Sequence, residues 1–207
     1  MTLTKSFLRV LFLSLGVPML AVAAQADPMP GKSATDPMPT ASDRAMMPGL
    51  KVGDAAADFT LPSATGGEVA LKALLAEGNV ALVFVRSADW CPFCRRQLQD
   101  LEKDLAAIQA TGVTLVAISY DAPETNAAAV AKLGLTFPLL SDVGSHVIDA
   151  YGIRNREAKG RGVGIPHPVV FIVDQSGTIR VKLMRDGYKE RPESAEIIAG
   201  VKGVTAR

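Results

Sequence analysis

The chain has 207 residues, of which 48% are apolar and 21% charged, and its formal net charge is +1. That length and apolar content suit one medium domain with appendages and exclude wholesale disorder. Because positive and negative side chains nearly cancel, the strongly basic footprint needed for phosphate neutralisation is absent, and nucleic acid is not an expected partner.

At the start, Lys5 and Arg9 precede an apolar stretch from Val10 to Ala23, and Ala24-Gln25-Ala26 follows as a small-x-small cleavage pattern. These features predict a secretory signal peptide over residues 1–26 and an exported, periplasmic protein. An uncleaved membrane anchor is the alternative, since Phe7 to Ala24 approaches bilayer-spanning length, although Pro18 and the small-residue exit favour cleavage. Residues 27–48 shift to Pro, Met, Ser and Thr, with Asp-Pro-Met-Pro at Asp27 to Pro30 and again at Asp36 to Pro39. Such a segment buries too little apolar surface to offset its ordering entropy and is expected to be a disordered linker. Its residues Met29, Met38, Met46 and Met47 are also soft thioethers of the kind Cu(I) accepts, an alternative to a plain spacer.

The folded domain is expected over residues 49–207. Phe59 to Leu61 and Glu68 to Leu71, around Gly66-Gly67, predict a small hairpin. Val80 to Arg86 is too uniformly apolar to alternate, as a strand covered on both faces should be, and Val113 to Ser119 repeats that character. Between them Leu98, Leu101, Leu105 and Ile108 recur at spacings of three and four, predicting an amphipathic helix and hence a βαβ unit. Helices are then expected over Pro123 to Leu133 and His146 to Tyr151, with a short strand over Phe137 to Leu140 between them. Val169 to Val173 and Ile179 to Leu183 flank the turn-forming run from Asp174 to Thr178 and predict a second hairpin. A last helix is expected over Pro192 to Val201. The sum is an α/β fold: a mixed central sheet flanked by helices, with an N-terminal hairpin extension.

Only two cysteines occur, Cys91 and Cys94, separated by Pro92 and Phe93. A disulfide closing so small a ring restricts the unfolded chain little, so a purely structural bond is the weaker reading. The pair follows a strand and opens the predicted long helix, where unpaired N–H groups and the helix dipole favour thiolate over thiol. Cys91 is expected to be the more acidic and more exposed of the two. Its thiolate would attack a substrate disulfide, and Cys94, one helical turn on, would displace the product. Pro92 suits the first helical turn, where its missing N–H is no loss. Structural zinc is a poor alternative, because it needs four ligands and there is no second cysteine pair.

Several strings here resemble the thioredoxin-like superfamily, and within it the AhpC/TSA (peroxiredoxin-like) and TlpA-like redoxin families. They are Val52-Gly53-Asp54 with Asp58-Phe59-Thr60-Leu61, Trp90-Cys91-Pro92-Phe93-Cys94, Ala117-Ile118-Ser119-Tyr120-Asp121, and Phe137-Pro138-Leu139-Leu140-Ser141-Asp142. The resemblance implies a thioredoxin-like fold and catalytic roles for Cys91 and Cys94. It also implies a cis-proline opposite the pair, best matched by Pro168 before Val169, with Pro166 as the runner-up. That placement would set His167 beside the sulfurs, where an imidazole tunes a thiolate or shuttles a proton; a surface-loop histidine is the alternative.

The chain also departs from its relatives. Peroxiredoxins resemble Pro-x-x-x-Thr/Ser-x-x-Cys; with Cys94 in the cysteine position, Cys91 stands where Thr or Ser is expected and Ser87 where proline is. Thioredoxins carry a buried acid on the preceding strand, and the matching position here is Val85. Asp89 is nearby but expected to be solvated, while Arg86 either favours the thiolate or pairs with a surface carboxylate. Trp90 either shapes the substrate face or packs; His146 is read as structural; Tyr188 and Arg191 resemble a C-terminal string of peroxiredoxin-like relatives without an assigned role.

Three functions follow. The leading one is thiol–disulfide exchange with proteins or small molecules, with a separate redox partner to recycle the pair. The second is thiol-dependent peroxide reduction, and the third is copper delivery by the two cysteines, His167 and the methionines. The first two call for no cofactor or metal.

Overall fold

The computed structural model describes residues 47–205, so the signal peptide and nearly all of the linker expected from sequence lie outside the described residues. In chain order the elements are β1 (Thr60–Pro62), β2 (Glu68–Ala70), α1 (Leu71–Glu77), β3 (Asn79–Phe84), α2 (Pro92–Lys103), α3 (Leu105–Gln109), β4 (Val113–Ser119), α4 (Pro123–Leu133), β5 (Leu139–Ser141), α5 (His146–Ala150), β6 (Val169–Val173), β7 (Ile179–Met184) and α6 (Ser194–Thr205). Among the described residues no helix is long and apolar enough to cross a membrane.

Strands β3 to β7 form a five-stranded sheet in the order β5-β4-β3-β6-β7. Strand β3 pairs parallel with β4, and β4 with β5, whereas β6 runs antiparallel to both β3 and β7. The uniformly apolar β3 is thus central and buried on both faces, as its composition predicts. Successive residues alternate between two cores. Ala81 and Val83 join Leu98, Leu101, Ile108, Val170 and Ile172 on the face covered by α2, α3, α4 and α6. Val80, Leu82 and Phe84 meet Phe59, Leu71, Ile148 and Phe171 on the face covered by the β1–β2 hairpin, α1 and α5. That second core centres on Phe84, Tyr151 and Phe171, whose ring centroids lie 5.0, 5.3 and 6.0 Å apart.

The helix expected from Leu98 to Ile108 is two helices. They are divided at Asp104, whose N–H reaches both the Asp100 and Glu102 carbonyls. The apolar stripe stays in phase across the junction, so residue spacing does not report the break. Helix α6 starts later and ends later than expected. It runs through Gly200, where an added Cβ would lie 2.8 Å from Ile172 Cδ1, so the helix packs closer to the sheet than a larger residue allows. Strand β3 ends at Phe84 rather than Arg86, although the Val85 N–H still reaches the Ile118 carbonyl at 2.9 Å. The strand expected at Phe137 begins at Leu139, after Pro138, which has no N–H to give a ladder.

The opening string docks on the hairpin of β6 and β7. The Gly53 N–H donates to the Ile179 carbonyl at 2.8 Å, the Ile179 N–H to the Asp54 carbonyl at 2.9 Å, and the Ala56 N–H to the Gly177 carbonyl at 2.8 Å. Gly53 has φ +99°, a conformation that side chains other than glycine's rarely adopt.

One expectation is corrected. No peptide bond among the described residues is cis, so the bonds before Pro166 and Pro168 are trans. This segment is held extended: Pro166 bridges Arg154, and the His167 N–H donates to the Ile153 carbonyl at 2.7 Å.

Because Phe171 is fully buried among two aromatic neighbours, Phe171→Ala should destabilise the domain by about 3–5 kcal/mol, read as a lowered denaturant midpoint.

Candidate active site

Both cysteines lie where β3 hands over to α2. Cys91 is the N-cap of α2, Pro92 its first residue, and the Cys94 N–H donates to Cys91 Sγ at 3.3 Å. A small sulfur acceptor therefore does the work of the usual N-cap oxygen, and it places the two thiols one turn apart on the same helix mouth.

The preceding loop is wound on two buried polar side chains. Ser87 Oγ accepts the N–H groups of Asp89 at 3.1 Å and Trp90 at 3.3 Å. Asp121, at the end of β4, accepts the Ala88 N–H at 2.8 Å and the Ser119 hydroxyl at 3.1 Å. Ser87 bonds in turn to Asp121, and its backbone N–H bonds to the Cys94 sulfur. Burial pushes the Asp121 carboxyl above its ordinary range, against the opposing hydrogen bonds of Ala88, Ser87 and Ser119. Val85, where related thioredoxins carry an acid, is fully buried in the core with both cysteines. The buried carboxylate nearest in bonding to the sulfurs is Asp121, two residues past the end of β4.

From the far side, Arg191 aims Nη2 at Cys94 Sγ, 3.4 Å away, and at Cys91 Sγ, 3.9 Å away. Its Nη1 is fixed by the carbonyls of Tyr188 and of Glu190, the latter at 2.8 Å. Tyr188 stacks edge-on to Phe93 at 6.0 Å. The sulfurs are thus enclosed, at 1% and 0% relative exposure for Cys91 and Cys94.

The expected order of acidity is reversed, whereas Cys91 stays marginally the more exposed cysteine. The Cys94 thiol is lowered to about 6, first by the hydrogen bond shared with Cys91 and then by Arg191 and the Ser87 N–H, with burial opposing. Sharing that proton with Cys94, together with burial, pushes the Cys91 thiol up. The Arg191 charge, nearer to Cys94 than to Cys91, and the Ser87 N–H are supplied by the tertiary fold and lie outside the N-cap argument drawn from the sequence.

Other site candidates separate into those gathered here and those set apart. Trp90 is half-buried, with Nε1 donating to the Tyr120 hydroxyl at 3.1 Å. The Arg86 guanidinium carbon lies 5.2 Å from the Trp90 ring centre and 4.6 Å from that of Tyr188. Among the described residues Arg86 has no carboxylate ion pair and no hydrogen bond to a sulfur. Asp89 is exposed, as expected. His167 is half-buried, and desolvation lowers its imidazole against the raising effect of Glu157; neither cysteine figures among the groups acting on it. It does not complete a metal-ligand cluster with the sulfurs, since among the described residues no three His, Cys, Asp or Glu side chains gather. Pro168 is buried beside it. His146 is exposed at the start of α5.

Three further residues belong to the site. Arg191 carried no spacing signal, being 97 residues from Cys94. Asp121 stood at the end of a string singled out only for its resemblance, and Ser87 only as a departure from the peroxiredoxin pattern.

With this geometry in place, comparison with known proteins is informative. Residues 52–182 match the AhpC/TSA family. The chain belongs to that family. It is 36% identical over 146 residues to alkyl hydroperoxide reductase E of Mycobacterium tuberculosis, covering 70% of this chain and 92% of that protein. It is 32% identical over 143 residues to thiol-disulfide oxidoreductase ResA of Halalkalibacterium halodurans, covering 68% of this chain and 72% of that protein. In fold it matches peroxidoxin BcpB from M. tuberculosis with a TM-score of 0.66 at 24% identity, covering 75% of this chain and 98% of that one. The fold of this AhpC/TSA member is therefore thioredoxin-like, and the protein is a thiol-based oxidoreductase.

The shared proton makes stability depend on pH. Between about 6 and the ordinary thiol value of 9.0 the folded pair holds one proton fewer than the unfolded chain. Stability of the reduced protein should therefore rise with pH through that window, and fall above it, where the unfolded chain has lost both protons and folded Cys91 keeps one. Denaturant midpoints across pH check this, with Cys91→Ser/Cys94→Ser losing both limbs. Arg191→Gln should raise the first thiol titration by roughly one unit, read from ultraviolet thiolate absorbance.

Proposed function

We propose that this chain catalyses thiol–disulfide exchange with Cys94 as the attacking thiolate and Cys91 as the resolving thiol. The observation that carries this order is the guanidinium and the backbone N–H converging on the Cys94 sulfur, while Cys91 lies one turn away with its proton. Cys94 thiolate attacks one sulfur of a substrate disulfide and expels the other half as a thiolate. Cys91 then passes its proton to the departing groups and attacks Cys94 Sγ, releasing the second thiol. Two electrons move from the protein's dithiol to the substrate, and the protein is left with a Cys91–Cys94 disulfide.

Each turnover therefore requires a separate dithiol partner to restore the pair. The N-terminal pattern of Lys5, Arg9 and the apolar run to Ala23 supports work outside the cytoplasm, tethered to or freed from its first 26 residues, where such a donor must be dedicated to the task. Residues 27–48 then serve as a spacer and 49–207 as the redox domain.

Peroxide reduction by the same thiolate is favoured by one feature: an arginine directed at the sulfur at the start of α2, able to stabilise the developing alkoxide or hydroxide. Against it, the hydroxyl position of the peroxiredoxin pattern holds Cys91.

The order is tested by reacting pre-reduced variants with a small disulfide and mapping the adduct by mass. Cys91→Ser should accumulate a mixed disulfide on Cys94, and Cys94→Ser should react about a hundredfold more slowly. A fast-forming adduct on Cys91 in Cys94→Ser reverses the order; no adduct in either variant defeats the exchange reading. If Cys91→Ser forms a sulfenic acid with hydrogen peroxide faster than it forms the mixed disulfide, the peroxidase reading replaces it.

A further inference from the structure

The rim of the cysteine pair is built from cations stacked on aromatic rings. Trp90, the only tryptophan of the chain, has the guanidinium of Arg86 at 5.2 Å and that of Arg161 at 4.8 Å from its ring centre. Arg86 also lies 4.6 Å from the centre of Tyr188. Tyr120 ties the two sides together, accepting the Trp90 indole N–H at 3.1 Å and donating its hydroxyl to the Arg161 carbonyl. A guanidinium held over an aromatic ring keeps N–H donors able to pair with a planar anion.

Four arginines elsewhere have carboxylate partners. Arg154 and Arg156 pair with Asp149, Arg180 with Asp174, and Arg185 with Glu196. Among the described residues no ion pair involves Arg86, Arg161 or Arg191, and the Nε atoms of Arg86 and Arg191 are buried without a hydrogen-bond partner. Three cations thus gather on Trp90, Tyr188 and the sulfurs in a chain whose net charge is only +1. Buried donors without acceptors mark a place where a ligand's acceptor restores the balance. The sulfurs are nearly inaccessible, so the visitor must also be slender at its reactive end.

We propose that the substrate is a small disulfide whose arms carry carboxylates, held by Arg86 and Arg161 against Trp90 while its sulfur reaches Cys94. The reactive half of this proposal rests on the disulfide-exchange reading; the anion site rests on the rim alone. The stoichiometry is that of the exchange above: one reduced protein converts one disulfide into two thiols and becomes oxidised, one product taking the Cys91 proton and the other a proton from solvent.

The test uses three small disulfides of different charge: dithiodipropionate as the dianion, hydroxyethyl disulfide as the neutral compound, and cystamine as the dication. Each rate with the pre-reduced protein is divided by that compound's rate with dithiothreitol, which removes differences in leaving-group reactivity. At low salt the dianion should exceed the dication by at least about tenfold, and added salt should shrink the ratio. Arg86→Gln and Arg161→Gln should each lower the dianion-to-neutral ratio several-fold. Equal normalised rates for the three compounds, or ratios that both substitutions leave in place, overturn the proposal.

Thiodipropionate, the thioether analogue that cannot exchange, separates this site from the chemistry. It should change the fluorescence of Trp90 saturably in the reduced protein and in Cys91→Ser/Cys94→Ser, and much less in Arg161→Gln. Saturable binding without turnover of any disulfide supports the anion site and defeats the exchange reading. Turnover of the neutral disulfide with no fluorescence response defeats the anion site and leaves exchange standing.

Discussion

A sulfur anion withdrawn from water survives only beside a positive charge and hydrogen-bond donors, and in this protein the pairing of Arg191 with Cys94 meets that requirement. The two groups are brought to 3.4 Å from positions 97 residues apart. That closure needs the loop after β7 to be placed accurately, which depends on α6 lying flat on the sheet. Gly200 allows it, its bare Cα seated against Ile172 and Val181. Packing at one end of the helix and thiol chemistry at the other are therefore one constraint, because a shift of α6 would carry Arg191 from the sulfur and leave a buried charge unpaired.

The opposite wall of the site comes from the end of β4. Asp121 gathers the Ala88 N–H and the Ser119 hydroxyl, and Ser119 continues to Asn126 at 3.0 Å. The Asn126 amide then donates to the Leu140 carbonyl at 3.2 Å and the Ser141 hydroxyl at 2.8 Å. A hydrogen-bonded line thus runs from β5 through α4 and β4 to the cysteine loop, with every member buried. In a low-dielectric setting such a line stiffens what it connects, so the sulfurs face a loop whose backbone is set in advance of any substrate.

Relatives with two kinds of name surround this chain, a hydroperoxide reductase at 36% identity and a thiol-disulfide oxidoreductase at 32%. Both chemistries begin with a stabilised thiolate at the start of α2, and they part at the next atom. A peroxide needs donors for the oxygen that leaves, whereas a disulfide needs a second thiol in line with the first. Position 91 carries that second thiol, and this substitution of sulfur for a hydroxyl inclines the site toward exchange.

By itself the sequence determined the sheet, most helices, the family and the cysteine pair. Long apolar runs and three-and-four spacing are local signals, and a Cys-x-x-Cys pair at a strand-to-helix junction carries its chemistry within a few residues. Only the tertiary structure decided that Arg191 lies nearer to Cys94 than to Cys91, that the helix breaks at Asp104, and that the Pro166 and Pro168 bonds are trans. It also brought Arg191 to the sulfurs, Asp121 to the cysteine loop, and Arg86 and Arg161 to Trp90. Those outcomes depend on charges and donors converging from distant segments, and residue spacing along the chain has no record of distances across it.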